Sequence, residues 1–258
     1  MTTDAVILMA GAGSRLGAVA GAIAKPLVRI AGRPIISYTL DALERVGVRD
    51  VHAVMGARSE RLTNEIEPLL PESMRLHPIV NPDWQKQNGV SVLCAANQVQ
   101  APFFLVMGDH LFDGAIFEQL LREADPQQLN LAIDRKIAAI FDLADGMKVR
   151  TQGDRVTRIA KDLTDYDAID TGLFLCPNEL FDSLRRAQRA GDCSLADSVR
   201  LMAADGKVRA IDIGDAWWQD VDTPEMYAHA EAHFREPHEL RFEGIIRRGP
   251  SNAPRKRP

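Results

Sequence analysis

Cysteine, aromatic side chains and long apolar runs are all scarce in this 258-residue chain, and each shortage closes off a class of protein. The three cysteines, Cys94, Cys176 and Cys193, are isolated from one another, so they form neither a zinc knuckle nor a redox pair. Buried thiols in a reducing compartment are the plain expectation. No segment approaches the ~18 uninterrupted apolar residues that span a bilayer, and Met1-Thr2-Thr3-Asp4 lacks the basic start of a secretory leader. A cytoplasmic location is therefore expected. No internal repeat is visible, and no convincing Ser-His-Asp or Cys-His grouping, which points away from covalent nucleophilic catalysis.

What is present is a globular composition, 46% hydrophobic and 26% charged, sufficient for one large α/β domain or one domain with a small subdomain. The formal net charge of −5 is unevenly spread: from Arg241 onward six basic residues stand against Glu243, a charge of +5 that leaves −10 on residues 1–240. An acidic body argues against a nucleic-acid-binding surface. Residues 1–235 are expected to form the folded domain and 236–258, with its Gly249-Pro250-Ser251-Asn252-Ala253-Pro254 stretch, a disordered basic tail.

The most telling stretch is the start, where the strand-like run Ala5 to Ala10 empties into Gly11-Ala12-Gly13-Ser14-Arg15-Leu16-Gly17, followed by Lys25-Pro26-Leu27-Val28. Glycines let a backbone bring successive N–H groups up to an anion, while Arg15 and Lys25 add full positive charge; a polyphosphate is the ligand this suits. A dinucleotide fingerprint would need a third glycine where Leu16 stands and an acidic end to the second strand, which instead ends Met55-Gly56. A P-loop would need Lys-Ser/Thr after its last glycine, and Gly17 is followed by Ala18.

Apolar runs at 51–55, 76–80, 103–107 and 129–133 read as buried strands, with Ile36, Leu40, Leu43 and Val46 marking an amphipathic helix that Gly47 ends. That alternation predicts a mainly parallel sheet with right-handed crossovers. From about residue 138 the pattern changes to short runs, 139–143, 147–151 and 156–160, separated by Asp-Gly and Gly-Asp turns, which read as added hairpins. A strand over 168–176, a helix carrying Phe181 and Leu184 inward, a helix from about Ser194, a strand over 208–213 and a last helix opened by Thr223-Pro224 complete the order.

In an open parallel sheet ligands sit beyond the carboxyl ends of the strands, which makes Asp109, after the run Phe103 to Gly108, the leading candidate. A magnesium ion arriving with a nucleoside triphosphate takes one or two protein carboxylates. Asp109 is one; the second is expected from the segment Trp217 to Pro224, where Asp222 before Thr223-Pro224 is equally readable as a helix cap.

The run Leu8 to Leu16 with Lys25-Pro26-Leu27-Val28, Gly108-Asp109 at a strand end and the late Asp220-Val221-Asp222-Thr223 resembles the sugar-nucleotide pyrophosphorylase and cytidylyltransferase superfamily. Asn81-Pro82-Asp83-Trp84, Asn88-Gly89 with Ser91, Met107 to His110, Ala132 to Arg135, Ile159 to Leu163 and Asp170 to Phe174 narrow the resemblance to inositol-1-phosphate cytidylyltransferases, over about residues 4–235. The resemblance implies a single Rossmann-like, GT-A-type α/β domain with a mixed, mainly parallel sheet. It implies CTP and a polyol phosphate as substrates, CDP-inositol and pyrophosphate as products, and Mg2+ as cofactor. Leu8, Ala10, Gly11, Ala12, Gly13 and Ser14 would hold the nucleotide, with Arg15 and Lys25 on the phosphates and catalytic together with Asp109. Asn88, Gly89 and Ser91 would lie near the base; Asp134, Lys161, Asp170 and Thr171 would border the acceptor; Asp109 and Asp222 would bind the metal. Ser14 stands where threonine is common in the family, a mild change. Many of its members continue into a membrane-embedded synthase, whereas this sequence runs to Pro258, and its basic tail would make at most a weak contact with a membrane or a separate synthase.

Another sugar phosphate, phosphocholine or molybdopterin as acceptor would keep the same fold, although 6% aromatics is little material for a quaternary-ammonium cage. A catalytically silent nucleotide-sensing subunit would be expected to have lost Lys25, Asp109 or Asp222, and all three are present. His229 and His233, four apart on the last helix, read as a solvated face, and Trp217 and Trp218 as core packing. His110 is open to two roles, orienting Asp109 or contacting the acceptor.

Overall fold

The structure, a computed structural model, describes residues 3–11, 16, 23–56 and 59–235. Among the described residues the strands run β1 (Asp4–Met9), β2 (Arg29–Ile30), β3 (Arg33–Pro34), β4 (Asp50–Met55), β5 (Arg75–Val80), β6 (Phe103–Met107), β7 (His110–Phe112), β8 (Leu129–Asp134), β9 (Lys148–Gln152), β10 (Arg155–Ala160), β11 (Ala168–Cys176), β12 (Val208–Asp212) and β13 (Trp218–Asp220). The α-helices are α1 (Ile35–Arg45), α2 (Ser59–Ile66), α3 (Asn88–Cys94), α4 (Ala115–Glu123), α5 (Glu179–Ala187), α6 (Leu195–Ala204) and α7 (Pro224–Arg235).

Nine strands form one sheet in the order β5-β4-β1-β6-β11-β8-β12-β10-β9. The first four are parallel; β4, β1 and β6 are apolar runs buried on both faces, while β5, at the edge, is largely exposed or half-buried. β11 and β10 run against their neighbours and make the sheet mixed. The beginning of β11 (Ala168, Ile169) also pairs with β9 while its end (Leu173 to Cys176) pairs with β6, so β11, β8, β12, β10 and β9 close on themselves. The break between these allegiances falls at Gly172, whose φ of +77° few other residues tolerate.

Two hydrophobic layers cover the sheet. One gathers Val6, Phe103, Leu105, Leu131 and Phe174 with α3, α5 and α6; the other gathers Ile7, Phe104 and Val106 with α1 and α4. A smaller cluster of Leu16, Val28, Ile30, Ile35, Leu111 and Val221 lies beneath α7. The helix carrying Ile36, Leu40 and Leu43 and ending before Gly47 is present, as are Phe181 and Leu184 facing inward from α5.

One expected strand is absent. Residues 139–143 form no strand: a 3-10 turn over Ile137–Ala139 is followed by irregular turns. Asp142 supplies the reason, because its side chain accepts the Asp145 N–H at 3.3 Å and its carbonyl the Gly146 N–H at 3.2 Å, a local closure that competes with a sheet ladder. The expectations placed on Ala12, Gly13, Ser14 and Arg15, and on the basic segment 236–258, lie outside the described residues.

Candidate active site

A two-stranded ladder absent from the sequence reading assembles the site. β7 pairs antiparallel with β13, Phe112 opposite Trp218 and His110 opposite Asp220, and Val221 N–H donates to the Asp109 carbonyl at 2.9 Å. The residue just before β7 and the residue two positions beyond β13 are thereby brought together. They are Asp109 and Asp222, 113 positions apart in sequence. Lys25, opening the 3-10 turn Lys25–Leu27, donates to both: to Asp109 Oδ2 at 3.0 Å and to Asp222 Oδ1.

Burial works against the Lys25 ammonium, but Asp109 and Asp222 together outweigh it and raise its pKa above the ordinary lysine value. Burial likewise disfavours the charged Asp109 carboxylate, yet the hydrogen bond from His110 and the charge of Lys25 hold it well below the usual carboxylate range. His110 Nδ1 lies 2.9 Å from Asp109 Oδ1, a contact that orients Asp109, and the residue also borders the cavity described below, so the geometry is compatible with both of its expected roles. Its ring stacks between Phe112 and Trp218, and although burial pulls its pKa down, Asp109, Asp220 and Asp222 bring it above the normal histidine value. Asp220 is pushed up by burial and by its acidic neighbours, only partly relieved by His110.

A cavity of about 410 Å³ opens beside this cluster, and Asn88, Asp109, Asp134, Lys161, Asp170 and Asp222 all line it. Burial lifts Asp170 to about 6, against the Gly172 N–H it accepts at 2.7 Å. Asp134 accepts from the Lys136 N–H at 2.7 Å and from Trp218 Nε1 at 3.0 Å. Lys161 reaches Asp145 at 2.5 Å. Asn88 Oδ1 accepts the Leu195 N–H at 2.8 Å, so it also caps α6 beside the Ser194–Asp197 capping box.

Seven expected site residues among those described do not line the cavity: Lys25, which stands beside it through Asp109 and Asp222, and Thr171, Ser91, Gly89, Leu8, Ala10 and Gly11. Thr171 is fully buried and its hydroxyl donates to the Ala132 carbonyl at 2.9 Å; next to inward Asp170 on a strand, its side chain falls on the opposite face. Ser91 is buried on α3, its hydroxyl accepting from Asn81 Nδ2 at 2.9 Å. Gly89 is a packing residue, since a Cβ there would stand 2.7 Å from the Cys193 carbonyl. Leu8 and Ala10 lie at the carboxyl end of β1 and Gly11 just beyond, outside the cavity lining.

Both histidines and both tryptophans stand between surface and core. His229 is exposed, as a solvated face requires, and it also borders the cavity, with Nδ1 2.5 Å from Gln219 Oε1, while His233 stacks on Trp217 with ring centroids 3.8 Å apart. Trp217 packs against the small cluster beneath α7 and Trp218 against the layer that holds α1 and α4, as core packing predicts; both also line the cavity, where Trp218 stands over His110. No sequence signal separates the two histidines; only the angle at which α7 leaves Asp222 does.

The donor set fits a magnesium ion. Two hard carboxylates already converge on one cation, that of Lys25, and magnesium needs few protein ligands beside substrate phosphates.

The chain is 33% identical over 224 residues to the bifunctional IPC transferase and DIPP synthase of Rubrobacter xylanophilus, covering 86% of this chain and 49% of that protein. It is 33% identical over 259 residues to the CMP-5'-(3-aminopropyl)phosphonate synthase of Streptomyces rubellomurinus, covering 91% of this chain and 39% of that protein. The chain thus spans about half the length, or less, of these curated relatives. Its fold is similar to that of the inositol-1-phosphate CTP transferase from T. maritima, with a TM-score of 0.76 and 23% identity over 89% of this chain and 96% of that one. The model of the MobA-like NTP transferase domain matches residues 5–200, more than half of the sequence, and the chain belongs to that family of nucleotidyltransferases.

Proposed function

We propose that this protein transfers a cytidylyl group from CTP to inositol-1-phosphate or a closely related polyol phosphate, with magnesium as cofactor, giving CDP-inositol and pyrophosphate. The observation that carries this reading is Lys25 bridging Asp109 and Asp222, two carboxylates that line a cavity together with Lys161, Asp134, Asp145 and Asp170. The names of the IPC transferase relatives and of the T. maritima neighbour support the choice of base and acceptor.

An acceptor phosphate has a second pKa of about 6, so near neutral pH one of its oxygens is already anionic. That oxygen attacks the α-phosphorus of CTP, forming one P–O bond as the bond to the β-phosphate bridging oxygen breaks and pyrophosphate departs. No general base is needed. Alignment of two anions and stabilisation of the charge that develops are what the site must supply. Asp109 and Asp222 would hold the magnesium, which neutralises triphosphate oxygens when bound. Lys25 adds its charge at the same place, and Lys161 faces the acceptor phosphate. Asp134, Asp145 and Asp170 accept hydrogen bonds from hydroxyls, which suits a polyol.

Pyrophosphate release from a matrix of nucleotides and acceptors tests the proposal. CTP with inositol-1-phosphate should be fastest, CTP with glucose-1-phosphate slower, and phosphocholine nearly inert. The matrix includes 3-aminopropylphosphonate because one relative bears its name. UTP or GTP outpacing CTP, or phosphocholine or the phosphonate outpacing inositol-1-phosphate, sinks the assignment.

A further inference from the structure

Among the rings that border the cavity away from the Lys25, Asp109 and Asp222 cluster, two lie against each other: Phe141, in the turns after the 3-10 segment, and His229 on α7. Their centroids lie 4.8 Å apart with planes inclined by 30°. Phe141 is 48% exposed. Its uncovered part is an apolar surface beside the carboxylates of the site.

The orientation of His229 is set from behind. Gln219 is buried, and its Nε2 donates to the Met226 carbonyl at 3.0 Å. That leaves Oε1 as the acceptor, so the His229 nitrogen facing it, Nδ1, must carry a proton. Fixing one nitrogen as donor defines the other: in the neutral ring Nε2 has a lone pair free to accept. A buried amide with both ends engaged thus holds a cavity-lining imidazole in one tautomer, while Phe141 supports its face.

We propose that His229, held by Gln219 and backed by Phe141, is a specificity-determining contact for the hydroxyl-bearing body of the acceptor. The inference rests on the functional reading above. His229 Nε2 accepts a hydrogen bond from an acceptor hydroxyl, and the open face of Phe141 covers a C–H face of the polyol ring. The carboxylates nearby are acceptors as well, so this wall selects a ligand that presents donors. An acceptor without hydroxyls leaves His229 and those carboxylates unmatched.

The test is steady-state kinetics of His229→Ala, His229→Gln and Phe141→Ala with CTP and whichever sugar or polyol phosphate the wild-type protein uses best. Truncation of either ring should raise the acceptor KM roughly tenfold, with little change in the CTP KM and the smaller effect on kcat. His229→Gln, which retains an acceptor oxygen, should recover part of the loss. Deoxy analogues of the acceptor should include one that weakens the wild type but not His229→Ala. Phe141→Ala lies on a separate segment and keeps the test decisive should His229→Ala loosen α7. An unchanged acceptor KM in both alanine variants, or equal damage to the CTP and acceptor KM, overturns the assignment while the functional reading stands. No turnover by the wild-type protein with any phosphorylated sugar or polyol overturns both.

Discussion

At Lys25 a single ammonium faces two carboxylates, and the charge balance of the site turns on that arrangement. If Asp109 and Asp222 hold magnesium, Asp109→Asn and Asp222→Asn should each abolish most turnover with little change in thermal unfolding, because amides are poor magnesium ligands. Near-normal pyrophosphate release by either variant at limiting magnesium removes that residue from the metal site. Lys25 and Lys161 should part company kinetically. Lys25→Ala should lower kcat and kcat/KM together by roughly 10²–10³-fold, as for loss of a group that meets charge in the transition state. Lys161→Ala should chiefly raise the acceptor KM. Matching signatures would remove the distinction. Lys25 and Asp109 stood out in sequence, since charge beside a tight turn or at a strand end has few structural uses, whereas Asp222 read equally as a helix cap and was singled out only by the family resemblance. The burial of Thr171 and Ser91 was not legible, because a hydroxyl reads the same whether it meets substrate or the Ala132 carbonyl.

Among elements, β11 is where fold and site meet. Gly172 sits at its change of partner, and a Cβ there would stand 2.9 Å from His110 Nε2 and 3.1 Å from Met107 Cγ. With φ at +77°, Gly172→Ala should cost about 1–2 kcal/mol of stability from the backbone alone. It should also lower activity by displacing the ring that orients Asp109. Chemical denaturation alongside turnover reads both, and a variant with wild-type midpoint and rate would refute the account. The long strands were legible from their apolar runs and proved accurate to about a residue at most ends. The β7 and β13 ladder was not: three residues on each side, His-Leu-Phe and Trp-Gln-Asp, are too few to display a period. The same shortness hid the 139–146 turns, where apolar Ile140 and Phe141 imitate a strand.

Across the whole molecule, the sheet carries a titratable cluster on β1, β4 and β5 with no part in the proposed chemistry. His52 is buried beside Asp4, with Nε2 3.1 Å from Asp4 Oδ2, and stacks on His77; its Nδ1 has no hydrogen-bond partner among the described residues. Burial depresses the His52 pKa, only partly countered by Asp4. The unfolded chain, with an ordinary histidine pKa of about 6.5, therefore binds this proton more readily than the folded one. Stability from His52 is present above that value and falls as pH drops through it. Asp50, lowered to about 2 chiefly by its hydrogen bond from Arg75, loses its contribution only at more acid pH, between the ordinary carboxylate range and about 2. Melting temperature should fall from pH 7 to 5 in the wild type and less steeply in His52→Gln, and identical slopes would dismiss His52 as the cause. The parallel half of the sheet and both core layers follow from the apolar runs, whereas the closure of β9 onto β11 depends on partners far apart in sequence and left no local mark.

The lateness of Asp222 in the chain has a consequence for the protein as it is made. Domains fold as units during synthesis, from the N-terminal side. The strands that build the parallel half of the sheet are complete by Met107, yet one of the two carboxylates facing Lys25 arrives only after β13. On the proposed function, a nascent chain that ends before β13 would lack one of the two carboxylates assigned to the magnesium, so activity would await the segment that carries Asp222.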